Sequence, residues 1–146
     1  MLRDRAQPGE LIAPVDYSGG GRITECPGYL RVEFGSCNVA ELSAVYRAFA
    51  GFCLDHNVTR ALLKAGDNDP NGHYRLQDAL TMMAQGTPIA PEFKLALLPS
   101  SRAIEAVYRE AEHHLRAGGF NAWVFETEIE AVDWLEGRAQ GGRASS

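Results

Sequence analysis

A strand followed by a short turn and an amphipathic helix recurs four times along this chain. That repetition constrains the fold more than any other feature. The last copy is the clearest: residues 121–126 read as a strand, and Thr127 and Glu130 open a helix that runs to Gly137 in capping-box form. Strands that alternate with helices pair in parallel through right-handed crossovers, which gives an α/β architecture.

Upstream of the repeats, residues 11–17 read as a short strand and Gly19-Gly20-Gly21 as the turn after it. Residues 22–25 and 29–34 then form two strands across Cys26-Pro27-Gly28. In the second of these, Leu30, Val32 and Phe34 alternate with Arg31 and Glu33, the period of a half-buried strand. This antiparallel ribbon precedes four βα units.

The first helix has a capping box at Asn38 and Glu41 and an apolar stripe of Leu42, Val45, Tyr46, Phe49 and Cys53, and it stops near His56 and Asn57. Residues 58–65 form the next strand, whose Ala61-Leu62-Leu63 centre implies burial on both faces. A second stripe of Leu76, Ala79, Leu80 and Met83 ends at Gly86, and residues 93–98 form a third strand. Ser100 and Ser101 cap a helix striped by Ile104, Val107, Tyr108, Ala111 and Leu115. Its solvent side carries Glu105–Arg109 and Glu112–Arg116 at the favourable i,i+4 spacing. The closing helix is expected to bury Ile129, Val132 and Leu135, with Trp123, Phe125 and Trp134 filling the core.

At 146 residues the chain has the length of one ordinary domain. Residues 1–10 and 138–146 are polar and read as flexible tails flanking a single domain at 11–137. A net charge of −5 argues against nucleic-acid binding, which needs a dense cationic footprint. Of the 14 basic residues, 12 are Arg, a usage typical of a GC-rich, bacterial genome. No apolar run reaches the roughly 18 residues of a membrane span, and the start of the chain lacks the apolar core of a secretory signal. Three cysteines without C-x-x-C spacing imply free thiols and a cytoplasmic setting.

The order of elements over residues 11–137 resembles the SpoIIAA-like fold, shared by the STAS domains of anti-sigma-factor antagonists and by CRAL-TRIO-type lipid carriers. The closest local likeness is Phe125, Ala131, Trp134 and Leu135, which fit an F-x-x-x-x-x-A-x-x-W-L close. The resemblance implies a mixed sheet with its helices mainly on one face. It also implies a protein that works by contact with a protein partner, a homodimer included. The lipid-carrier relatives imply the alternative of a small apolar ligand in a pocket. In the antagonists an Asp and a phosphorylatable Ser follow the second strand. Here the matching loop is Gly66-Asp67-Asn68-Asp69-Pro70-Asn71-Gly72-His73, and no Ser or Thr lies between Thr59 and Thr81. The hydroxyl of that switch is missing.

Asp67, Asn68, Asp69 and His73 are therefore the candidate partner-binding residues, in a contact loop without a phosphorylation switch. Asp67, Asn68 and Asp69 offer oxygens to a hard cation, but the twelfth position of a calcium loop falls on Asp78 rather than a bidentate Glu, so the cluster reads as a turn and helix cap. The neighbours His113 and His114 point about 100° apart on a helix and cannot share a metal, and Cys53 with His56 lacks further ligands. Ser36-Cys37 has no nucleophile elbow around it, and Gly19-Gly20-Gly21-Arg22 lacks the Lys-Ser/Thr of a phosphate loop. No catalytic residue, cofactor site or metal site is assigned, and a non-enzymatic role is expected. Ile89, between two prolines in residues 86–92, marks a contact or gating segment.

Overall fold

A computed structural model of the chain describes residues 14–86 and 93–137. The tails assigned to 1–10 and 138–146, the first residues of the 11–17 strand, and the 87–92 part of the contact segment lie outside the described residues. So does the side chain of Met83.

Among the described residues six strands form one sheet in sequential order: β1 (Val15–Tyr17), β2 (Gly21–Cys26), β3 (Tyr29–Glu33), β4 (Arg60–Lys64), β5 (Lys94–Leu98) and β6 (Asn121–Val124). The first three pair antiparallel, and β3 to β6 pair in parallel. Pro27 and Gly28 make the two-residue β2–β3 turn, where Gly28 takes a positive φ of 90°. The helices are α1 (Val39–His56), α2 (Arg75–Gly86), α3 (Arg102–Ala117) and α4 (Glu128–Glu136), and a 3-10 turn at Pro70–Tyr74 leads into α2. The described residues are thus α/β, with a mixed six-stranded sheet, an antiparallel ribbon and four βα units.

Local chemistry sets the helix ends. Asn38 accepts from Glu41 N–H at 2.8 Å while the Glu41 carboxylate accepts from Asn38 N–H at 2.8 Å, the reciprocal box that satisfies two orphan amides of α1. Asn57 ends that helix in the left-handed region at φ 53°. Ser101 and Thr127 cap α3 and α4 through their hydroxyls, each 3.2 Å from its amide.

A sequential strand order with crossovers of one hand places the connecting helices on one face. Accordingly α1, α2 and α3 cover a core built on two rows across the sheet. One row is Leu30, Ala61, Leu95 and Ala122, and the next is Ile23, Val32, Leu63, Leu97 and Val124. The alternate residues Leu62, Ala96 and Leu98 point to the other face, where α4 packs with Ala131 and Leu135 against Phe125. Ala61, Leu62 and Leu63 are fully buried because both faces of β4 are covered.

Two expectations for the helices are corrected. Ile129 is 76% exposed rather than buried, because α4 seats itself through Ala131 and Leu135 and turns Ile129 outward. Glu112 and Arg116 do not pair with each other. Glu112 accepts from the Val124 N–H of edge strand β6 at 2.9 Å, and the Arg116 guanidinium lies 3.5 Å from the centroid of the Trp123 ring. Both side chains protect an open sheet edge that could otherwise pair with another strand.

Candidate functional site

In open α/β sheets, ligands bind beside the loops at the carboxyl ends of the parallel strands. Here those loops are tied to one another. Ser36 N–H donates to Gly19 O at 2.7 Å, Asp67 N–H to Gly35 O at 2.7 Å, and Ala65 N–H to Leu98 O at 3.0 Å. The Ser100 hydroxyl donates to Gly66 O at 2.7 Å. Gly35 has φ +52°, and a Cβ on Gly66 would overlap the Gly35 carbonyl, so this close approach requires glycine at both positions.

Asn68 is the centre of the junction. Its amide nitrogen lies 3.1 Å from Cys37 O and 3.3 Å from both Phe34 O and Gly35 O, which orients the side chain. Its oxygen must then be an acceptor, and it takes Gly66 N–H at 2.8 Å and His73 Nε2–H at 3.1 Å. His73 therefore carries its proton on Nε2, and Nδ1 is free to accept from the Tyr46 hydroxyl at 2.7 Å. The Tyr108 hydroxyl, 3.3 Å from Tyr46 and 3.2 Å from Nδ1, donates to the Tyr46 oxygen because Nδ1 has only one lone pair.

The chain Tyr108–Tyr46–His73–Asn68 thus links α3, α1, the 3-10 turn and the β4–α2 loop, and each polar atom of the histidine ring has a partner. His73 has no exposed surface, and the Phe34 ring meets it edge-on at 5.1 Å. Desolvation with no carboxylate to offset it lowers the His73 pKa to about 4, so the ring is neutral at physiological pH. Burial likewise raises both tyrosine hydroxyls well above their ordinary range, which makes them hydrogen-bond groups rather than anions.

The four candidate contact residues consequently divide. Asp67 and Asp69 are exposed, and Asp69 caps the 3-10 turn by accepting from Asn71 N–H at 3.0 Å. Asn68 is spent on holding the loop. His73 is corrected from a surface residue to a buried hub: a partner approaching from solvent meets the two carboxylates and not the imidazole. Tyr46 and Tyr108 were read only as core. Their hydroxyls are the missed signal, since a buried Tyr O–H needs a partner.

The remaining reactive side chains lie elsewhere. Cys37 is buried and donates to Ser18 O at 3.3 Å, with its thiol pKa raised by desolvation. Cys53 is buried and pushed to about 12 for the same reason, and the His56 ring lies tilted against Phe52 with centroids 5.5 Å apart. His113 and His114 are both exposed. Among the described residues no three His, Cys, Asp or Glu side chains gather in a metal-sized group, and no helix is long and apolar enough to cross a membrane. Compared with known proteins, the chain matches no family model, no curated protein and no solved structure.

Proposed function

We propose that this chain is a non-enzymatic, cytoplasmic regulatory domain on a SpoIIAA-like scaffold that acts by protein–protein contact, with the β4–α2 loop as its contact tip. The observation that carries this reading is the division of labour in that loop. Asn68 and His73 are consumed in a satisfied internal network, while Asp67 and Asp69 stand outside on a backbone anchored at Gly35 and Ser100. A contact element held rigid before binding loses little entropy on association, which is what a recognition loop gains from such anchoring. The sequential sheet with three helices on one face suits the scaffold. Free thiols at Cys26, Cys37 and Cys53 suit a reducing compartment.

The second reading, a small apolar ligand, draws on a cleft of about 270 Å³ between α2 and α3 that includes Leu80, Leu115 and Phe120. Ligand pockets span roughly 300–1,000 Å³, and this cleft falls just under that range, so the reading ranks second.

Cross-linking mass spectrometry on protein purified from its own host tests the contact reading. A partner, or a second copy, should cross-link next to the loop, and the double substitution Asp67→Lys/Asp69→Lys should remove it with an almost unchanged melting temperature. The reversal Asp55→Lys, at the far end of α1, should leave the complex intact. A complex that survives the loop substitutions removes the loop from the account.

A further inference from the structure

The 3-10 turn that leads into α2 comes close to α1 where Gly72 packs on Leu42, in a space that admits no Cβ. Beside this contact a cleft of about 170 Å³ opens between α1 and α2. Ser43 and Arg47 line it from α1, Arg75, Asp78 and Ala79 from α2, and Tyr46 forms its floor. At roughly 30 Å³ per water, the space holds a few waters or one group the size of a phosphate.

The donors around this space exceed their partners. Arg75 uses Nη1 on Asp78 Oδ2 at 3.1 Å, in a pair whose members are 52% and 71% exposed, which leaves its other N–H groups available. Arg47, on the facing helix, makes no hydrogen bond or ion pair with any described residue. Ser43 adds a hydroxyl. Two guanidiniums against one carboxylate make a local positive island on a chain of net charge −5. Guanidiniums set on separate helices suit an anion with several oxygens, each able to take charge-assisted hydrogen bonds. Asp78 Oδ1 remains an acceptor, so a hydroxyl on the anion would be met as well.

We propose that the α1–α2 cleft binds a small free oxyanion of the phosphate class, bridged by Arg47 and Arg75. The site stands on the two helices and is independent of the contact loop.

NMR titration of the intact protein with inorganic phosphate, at constant ionic strength, is the direct test. Saturable shifts should be confined to Ser43, Arg47, Arg75 and their neighbours. Acetate, with two oxygens and one charge, should bind distinctly more weakly. Arg47→Gln and Arg75→Gln should each weaken phosphate binding about tenfold or more, the scale of one charge-assisted pair. Arg102→Gln, an exposed arginine elsewhere, should change nothing. All these side chains are exposed, so the variants should fold normally, as unchanged spectra outside the cleft would verify. Shifts that never saturate and spread equally over Arg47, Arg60 and Arg102 would reduce the effect to ionic screening and overturn the proposal. So would binding unaltered by Arg47→Gln.

Discussion

The two faces of the sheet stabilise the same strands by different means. On one face α1, α2 and α3 bury rows of aliphatic side chains and, among them, the Tyr46–His73–Tyr108 cluster. On the other face α4 alone packs on β4 and β5, over a smaller core of Leu62, Ala96, Leu98 and Phe125. Past α4 that second face is charged, in alternating sign. Asp16 pairs with Arg22 at 2.6 Å, Arg22 neighbours Glu33 across the strands, and Glu33 meets Arg31 at 2.6 Å. Arg31 then grips Glu128 of α4 at 2.7 and 3.2 Å, and Lys64 reaches Glu128 at 3.2 Å. An antiparallel ribbon can leave one face to water, whereas parallel strands need cover on both. The transition from ribbon to parallel strands is where the ladder meets the helix. Burial should therefore dominate the first face, and a mixture of modest burial and half-exposed charge the second.

Adjacent residues on β4 test this contrast most sharply. Leu63 faces the three helices and Leu62 faces α4, and neither has exposed surface. Leu63→Ala should cost about 4 kcal/mol and Leu62→Ala about 2–3, within the range for buried leucines. Denaturant midpoints at equal slope measure both. Equal losses would mean that the two cores are equally well packed.

Acid should attack the first face through His73. Its pKa of about 4 lies below the ordinary 6.5, so the unfolded chain binds the extra proton first. Stability should be fully present above pH 6.5, decline as pH falls toward 4, and level off below that. At about 1.4 kcal/mol per pH unit, this one group accounts for roughly 3 kcal/mol. A His73→Phe variant should lose that part of the pH dependence; an unchanged acid profile would show that His73 does not titrate in this way.

The ladder should matter less. Arg31 holds the Glu128 carboxylate below its usual range by hydrogen bonding, yet Glu128 is about a third exposed, and solvent screens such pairs. Glu128→Gln should cost about 1 kcal/mol or less, and the loss should shrink in high salt. Smallest of all, Ile129→Ser should fall within about 0.5 kcal/mol of neutral, because the side chain is already in water.

How much of this could be read from residues alone follows from the range of each interaction. The four βα units, the Asn38–Glu41 box and the caps at Ser101 and Thr127 depend on neighbours within one turn, so periodicity and cap chemistry reveal them. The seat of α4 does not, because Ile129 and Leu135 are equally apolar and only the sheet decides which is covered. Glu112 and Arg116 carry ideal helix-pair spacing but find stronger partners on β6, which no window along α3 could show. His73 misleads for the same reason. It follows a run of Asp, Asn, Pro and Gly that reads as solvated, whereas its partners Tyr46 and Tyr108 lie 27 and 35 residues away. Asp67 and Asp69 were legible as exposed turn residues; the network that fixes them was not.

Hydrogen exchange at the amides of Gly66 and Asp67 tests directly whether this network holds the β4–α2 loop rigid. Each amide has an acceptor, Asn68 Oδ1 for Gly66 and Gly35 O for Asp67. Both should exchange slowly, near the rate of the sheet core, and should speed up strongly in His73→Phe, which removes the Nε2–H that Asn68 Oδ1 accepts and so unties the loop from the buried cluster. Exchange as fast as in an open surface loop, or equal in the two proteins, would contradict the account.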